Sequence, residues 1–453
     1  MKNTNALTQD KFLKKINLLM LLVLFVMTAG YFTWSESLLV TRIIKVIGRL
    51  SVTVGIYGIF RMLVNRGAVG AFKWQNTLSP LLYAVYLGLG LISILWSTDK
   101  GYSMLQWFMD FESLVFAWYF MRCFMVLDSF FPGHKIRFYN LMGNTAFGLL
   151  LIFVIGMFVN PDTFFRMTHG GEEARLGGFI MNPNELGMLC GVGVSSLLFD
   201  MYRKHYRIFT IIKILVLLYA LVMTGSRSST GGVLLIAFFH INQSSNTKLK
   251  LAMYLGAAAI IPVMVQTIWM KAGGGGMDEV LTMTGRLPFW TALLNEAFPK
   301  EPWFGFGFMR IYYTETFQSV HTYAGHMTHN TFMQVLMNLG IVGFTIVLFQ
   351  MIFTIKGFVK TADKEKKLML MGVLIPVLIN SVTEFGIFGE TNYGILFYQL
   401  LIFSISMVKP DYLTRLEKKQ LQRKRPDLML AANTTALPIH STKWNTVPVG
   451  GEA

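Results

Sequence analysis

Apolar runs of roughly 17–25 residues, long enough as helices to cross a hydrocarbon core about 30 Å thick, recur along most of the chain. They fall near 16–34, 44–64, 80–96, 103–122, 138–159, 180–201, 208–224, 229–241, 249–268, 331–355, 368–384 and 393–408. This pattern predicts an all-α polytopic membrane protein with about twelve transmembrane helices. One long polar interruption, 269–329, separates the ninth run from the tenth. After Pro410 the pattern gives way to the basic string KKQLQRKR and then to a polar end containing Pro and Thr. The expected organisation is therefore helices 1–9 over 1–268, a loop domain with short helices over 269–329, helices 10–12 over 330–408, and a basic, disordered tail over 409–453. No internal repeat is visible.

Composition agrees with that class. Of 453 residues 53% are hydrophobic and 14% charged, with mean hydropathy +0.50, more apolar surface than a single soluble core hides. The first run follows Lys11, Lys14 and Lys15 as a signal peptide would. It is long, lacks a small-residue cleavage site and is succeeded by similar runs, so it reads as the first transmembrane helix. Cys123 and Cys190 both lie in or beside predicted spans, which suggests packing roles and neither a disulfide framework nor a cysteine metal site. A net charge of +16 would point a soluble protein toward nucleic acid. In a membrane protein the distribution of charge between loops matters more, and no nucleic-acid partner is expected.

That distribution sets the topology. With a cytoplasmic N-terminus, the basic stretches Arg61/Arg66/Lys73, Arg203/Lys204/Arg207, Lys248/Lys250, Lys356–Lys367 and the tail all fall inside, and both termini are cytoplasmic. The eighth run, 229–241, is short and opens on Ser229, Thr230, Gly231 and Gly232. Without it the Lys-rich 356–367 segment would lie outside, against the charge rule, so it counts as a span. The outer face then receives the top of helix 2, the loop near 160–179, the Gly225–Ser229 turn and the long 269–329 loop.

Ionisable residues at these outer ends are the candidates for chemistry. Arg227 lies in TGSRSSTGG, either as an interfacial arginine snorkelling to headgroups or, given its small and hydroxylated neighbours, as a ligand-binding cation. Arg175 lies in GEEARLGGFIMNPNELG. Asn182, Pro183, Asn184 and Glu185 occupy what should be the first turns of helix 6. They predict a partly unwound helix start lining a wet cavity, the alternative being a plain start capped by Asn182. Arg42, Lys45 and Arg49 recur at spacings that stack them on one helix face, for anionic lipid headgroups or for a phosphorylated substrate. Asp110 and Glu112 resemble a metal-binding pair, but their i,i+2 spacing sends them to different faces, so one of them reads as a buried partner for an arginine.

In the long loop, Gly273–Gly276 is a flexible lead. TMTGRLPFWTALLNEAFPKEP then reads as a helix with Arg286 at its start, Pro288 in its first turn and an apolar face of Trp290, Leu293, Leu294 and Ala297. PWFGFGF is a glycine-jointed aromatic turn, either an interfacial belt or a platform for stacking sugars. His329 and Asn330 stand where helix 10 begins, with Thr328 as the expected cap. The positive end of the helix dipole there disfavours an imidazolium, and a neutral ring can accept a proton. His321, His326 and His329 suggest zinc by number but not by spacing, so no metal is expected.

LWSTD after span 3, RLGGF followed by PNELG, GSRSS on the outer side, TGR with PWFGFGF, and HN opening the next helix together resemble the O-antigen ligase family, within a superfamily that includes O-antigen and exopolysaccharide polymerases. The resemblance runs from about 80 to 400, and the order of its motifs is more specific than any one of them. It implies a bacterial inner-membrane, GT-C-like glycosyltransferase. Such an enzyme takes an undecaprenyl-diphosphate-linked glycan on the periplasmic side and transfers it to lipid A core, or to another lipid-linked glycan in polymerases. It also implies a metal-independent, inverting reaction, with essential arginines carried onto Arg227 and Arg286 and an essential histidine onto His329; Arg175 is a looser match. Leaving-group charge needs guanidinium donors and the incoming hydroxyl needs a base, so Arg227 and Arg286 would hold the diphosphate and His329 would take the proton, with Arg175, Asn184, Asn330 and the Arg42, Lys45, Arg49 stripe as substrate-binding residues. Anionic membrane lipids are expected partners, and no cofactor is expected. A polymerase, a transporter or flippase of a lipid-linked anionic substrate, and an envelope scaffold are the competing readings.

Overall fold

The computed structural model describes residues 2–65, 72–130, 138–168, 173–202, 208–243, isolated positions within 247–262, and residues 282–283, 286–308, 328–361 and 364–408. The ninth apolar run except for those isolated positions, much of the 269–329 loop with Gly273–Gly276, His321 and His326, and the tail over 409–453 lie outside the described residues.

The apolar runs become helices: α1 Lys2–Ala29, α2 Leu38–Asn65, α3 Leu78–Ser93, α4 Lys100–Phe130, α5 Phe138–Val159, α6 Pro183–Tyr202, α7 Ile208–Thr224 and α8 Arg227–Gln243. After the loop come the short α9 Arg286–Ala292, then α10 Thr331–Lys360, α11 Lys364–Thr383 and α12 Tyr393–Ser406. Among the described residues α2, α5 and α10 are long and apolar enough to cross a membrane, and α3, α7, α12 and the Lys367–Thr383 part of α11 are shorter apolar helices. Among the described residues strand structure is confined to two small pairings. Phe165–Thr168 pairs antiparallel with Glu173–Leu176, and Lys73–Trp74 with Met407–Val408.

The core sits around α12, every residue of which is buried, as expected of a helix apolar on all sides. It packs on α4, while α6 packs on α5, α7, α8 and α11. Close crossing of α6 and α8 depends on Gly187, where a Cβ would lie 2.6 Å from Ser229 Oγ. On the outside α2 exposes Leu38, Leu39, Ile43, Ile47, Leu50 and Val54, a surface suited to lipid.

α10 breaks at Gly340, whose φ of +62° is a left-handed conformation. The backbone groups freed there are satisfied by the PWFGFGF tract. Ile341 N donates to Pro302 O at 2.9 Å, and Phe306 N and Gly307 N donate to Met337 O and Asn338 O at 3.0 and 2.9 Å. The aromatic turn is thus wedged into the helix break, with Phe308 buried and Trp303 and Phe304 exposed. Phe289, Leu293 and Ala297 pack against Met337, which docks α9 on the same helix. The loop helix is shorter than the sequence suggests. After Ala292 it continues as a π-helical turn Leu293–Ala297 and a 3-10 turn Phe298–Lys300, and Phe289 takes the buried place expected of Leu294.

Candidate functional site

The N-terminal ends of α6, α9 and α10 meet the loop 384–392 between α11 and α12, and the start of α8 lies against that of α6, where Ser229 Oγ donates to Asn184 O at 3.2 Å. The first turn of α10 fixes that loop: Gly386 N donates to Thr331 Oγ1 at 3.2 Å, and Thr331 Oγ1 reaches Phe388 O at 3.3 Å. Asn380 Nδ2 holds Phe385 O at 2.8 Å from the other side.

Glu384, at the start of this loop, is the centre of the site. It is 2% exposed, so its carboxylate depends on protein partners. Oε1 accepts from Arg286 Nη2 and from Asn184 Nδ2, each at 2.8 Å, and Oε2 lies 2.7 Å from His329 Nδ1. Arg286 Nη1 also donates to the carbonyl of Thr383. Burial pushes the Glu384 carboxyl up, but the His329 hydrogen bond and the charges of His329 and Arg286 outweigh it and hold the group below its ordinary range.

A carboxylate can only accept, so Nδ1 of His329 carries the proton shared with Glu384. In the neutral ring this leaves the lone pair on Nε2. His329 stands outside α10, at a left-handed φ of +49° that few non-glycine residues adopt. Backbone placed this way, and a ring lying 6.4 Å and 19° from that of Phe385, set the imidazole against the loop. The cap of α10 is Asn330 and not Thr328. Asn330 Oδ1 accepts from Phe332 N at 2.9 Å and Met333 N at 3.0 Å, and its Nδ2 donates to Val382 O at 2.9 Å. Both ends of that amide are therefore occupied by the fold. Thr328 instead bonds Asn330 O through its hydroxyl at 2.8 Å and receives Trp290 Nε1 on its carbonyl at 2.8 Å.

Arg175 reaches the same cluster from the hairpin strand. Its Nη2 donates to Asn184 Oδ1 at 2.8 Å and its Nε to Thr224 O at 2.7 Å. Asn184 thus bridges Arg175 to Glu384 with its two amide ends. Arg175 passes Gly225, where φ is +58° and a Cβ would meet both Arg175 Nε and Glu173 Oε1 at 3.3 Å. Arg227 opens α8 next to this turn, and both Arg227 and Arg286 lie within electrostatic reach of Arg175. Arg286, Arg175 and His329 gather around one buried carboxylate, with Arg227 close to Arg175, an arrangement that favours an anionic ligand.

The expected unwound start of α6 is not what forms. Pro183 opens the helix and Asn182 Oδ1 accepts from Asn184 N at 2.9 Å, an ordinary cap, although Asn184 does face the site. The basic stripe of α2 also divides. Arg42 is exposed, Lys45 half-buried within a π-helical turn Ile44–Gly48, and Arg49 buried. Arg49 Nη2 pairs with Glu112 Oε2 at 2.6 Å and its guanidinium lies 4.0 Å from the centre of the Tyr31 ring, so it faces the protein interior and not a binding surface. Asp110, on another face of α4, takes Thr391 Oγ1 at 2.7 Å. The divergence expected of an i,i+2 pair is therefore present, with Glu112 as the buried partner of an arginine.

Glu384, at the centre of this cluster, is not among the residues that the sequence singles out. It is the last position of the 368–384 apolar run, although an acid at the end of such a run is itself a signal. His321 and His326 lie outside the described residues.

Residues 212–348 match the family model described as O-antigen ligase. The matched stretch runs from α7 into α10 and includes Arg227, Arg286, His329 and Asn330, residues on which the motif resemblance rests. No curated protein matches the chain at significant similarity.

Proposed function

We propose that this chain is an inner-membrane glycosyltransferase of the O-antigen ligase type, moving an undecaprenyl-diphosphate-linked glycan to lipid A core on the periplasmic side. In this reading about twelve helices span the membrane, both termini are cytoplasmic, and the site lies at the outer ends of the helices. The observation that carries it is Glu384 held between Arg286 and His329. One buried carboxylate fixes a cation suited to phosphate beside an imidazole suited to proton transfer.

His329 Nε2 takes the proton of the acceptor hydroxyl, and that oxygen bonds to the anomeric carbon as the carbon–oxygen bond to the diphosphate breaks. The bonding electrons leave on the diphosphate oxygen, where Arg286, Arg227 and Arg175 neutralise the growing charge. Attack opposite the leaving group inverts the anomeric centre. Glu384 keeps the ring in the required tautomer and stabilises the imidazolium as it forms. Asn184 holds Arg175 and Glu384 at fixed separation, and Asn330 sets the start of the helix behind the base.

The test is reconstitution of the full chain in liposomes with lipid-linked donor and lipid A core on one side. Glycan joined to the core supports the reading. Glycan joined to a second lipid-linked glycan would replace it with a polymerase, and movement of donor across the bilayer without a new bond would replace it with a transporter.

A further inference from the structure

Three polar residues of α4, Tyr102, Gln106 and Asp110, follow one another at intervals of four, which places them on one face in successive turns. Each holds the far end of the 384–392 loop. Tyr102 Oη donates to Glu390 Oε1, Gln106 Oε1 accepts from Thr391 N at 3.2 Å, and Asp110 Oδ1 accepts from Thr391 Oγ1 at 2.7 Å. Asp110 is fully buried, and among the described residues its carboxyl makes that one hydrogen bond, Oδ2 having no hydrogen-bonding partner. An acid so placed is costly, and packing alone would be met at less cost by an apolar residue.

From Thr391 the contacts lead to the base. Gly389, at a φ of +100°, lies so close to Phe385 that a Cβ there would stand 3.0 Å from the Phe385 Cδ1. The Phe388 ring is clamped by Tyr83 and Tyr86, with ring centres 5.4 and 4.8 Å away. Phe385 in turn backs the imidazole of His329. Just past Thr391, Tyr393 Oη donates to the backbone carbonyl of Glu185, in the first turn of α6 beside Asn184. A loop anchored at Glu390 and Thr391 thus fixes both the aromatic surface behind the imidazole and the turn that carries a partner of Glu384. Resting on the glycosyltransferase reading, we propose that Tyr102, Gln106 and Asp110 are positioning residues for the transfer, holding the loop so that Phe385 keeps His329 Nε2 aimed at the acceptor hydroxyl. They act through His329 and not on substrate.

The experiment measures transfer by full chains in nanodiscs, with undecaprenyl-diphosphate-linked glycan as donor, lipopolysaccharide lacking O-antigen as acceptor and inorganic pyrophosphate as inhibitor. Thr391→Val removes the hydroxyl at nearly constant volume, and Thr391→Ser keeps it. Thr391→Val is expected to lower kcat about ten- to a hundredfold, with both KM values and the pyrophosphate inhibition constant unchanged, and Thr391→Ser to restore the rate. In a His329→Ala background Thr391→Val is expected to cost nothing further, because the residue it aims is gone. A kcat within about twofold of wild type for Thr391→Val overturns the inference alone, as does an equal loss in both backgrounds, the mark of a purely structural role. Should Thr391→Val lose pyrophosphate inhibition, as misfolded protein would, Tyr102→Phe is held to the same criteria. A wild-type protein that joins no glycan to the acceptor overturns the glycosyltransferase reading and this inference with it.

Discussion

Glu384 Oε2 lies 2.7 Å from His329 Nδ1, joining the loop after α11 to the residue that precedes the cap of α10. Because the same carboxylate receives Arg286 and Asn184 on Oε1, replacing it disturbs tautomer, orientation and cation placement together. Glu384→Gln is expected to lower the transfer rate on the order of 10²–10⁴-fold while the protein remains inserted, because a side-chain amide can donate to Nδ1 and leave the wrong nitrogen protonated. Single-turnover transfer in nanodiscs measures this, and a rate within threefold of wild type, about 0.7 kcal/mol, would remove Glu384 from the mechanism.

The same pairing makes stability depend on acid. The Glu384 carboxyl lies below its ordinary value near 4.5 in the folded protein, so its contribution is fully present above that value and is lost as pH falls through the lower folded value. Unfolding temperature measured from pH 6 down to pH 3 should fall more steeply in wild type than in Glu384→Gln.

Arg49 and Glu112 form a buried pair, so removing one partner strands a charge. Arg49→Met is expected to cost about 3–5 kcal/mol of stability, and the double variant with Glu112→Leu distinctly less. Thermal unfolding of the single and double variants tests this. Arg49→Met that melts like wild type but binds donor more weakly would return Arg49 to a substrate-binding role.

Asn330 works as a cap. Asn330→Ala should lose about 0.5–2 kcal/mol, and Asn330→Asp or Asn330→Ser should recover most of it, because either side chain accepts from the backbone donors of the first turn. Melting temperatures and transfer rates should recover together. Recovery of stability without recovery of transfer would mean that the amide also touches substrate.

The helices were legible because long apolar runs declare themselves by length and apolarity, and among the described residues each of α1–α12 but the loop helix α9 follows an apolar run read from the chain. So was much of the cluster, since Arg227, Arg286 and His329 are polar residues at helix starts and Arg175 stands in the polar stretch before α6. Glu384 was not, because a hydropathy window absorbs one acid at the edge of a span. Nor was the division of Arg42, Lys45 and Arg49, because the π-helical turn alters the register on which equal spacing relied. The exchange of roles between Thr328 and Asn330 turned on a two-residue shift in the start of α10, the scale at which helix boundaries are least certain from sequence.

The central claim is that His329 takes the proton in glycosyl transfer. The direct measurement is the single-turnover rate of glycan transfer to lipid A core by His329→Ala in nanodiscs, with pyrophosphate inhibition measured on the same preparation. The account predicts a loss on the order of 10²–10⁴-fold with pyrophosphate inhibition retained. Transfer at the wild-type rate, in protein shown to be inserted and folded, would contradict it.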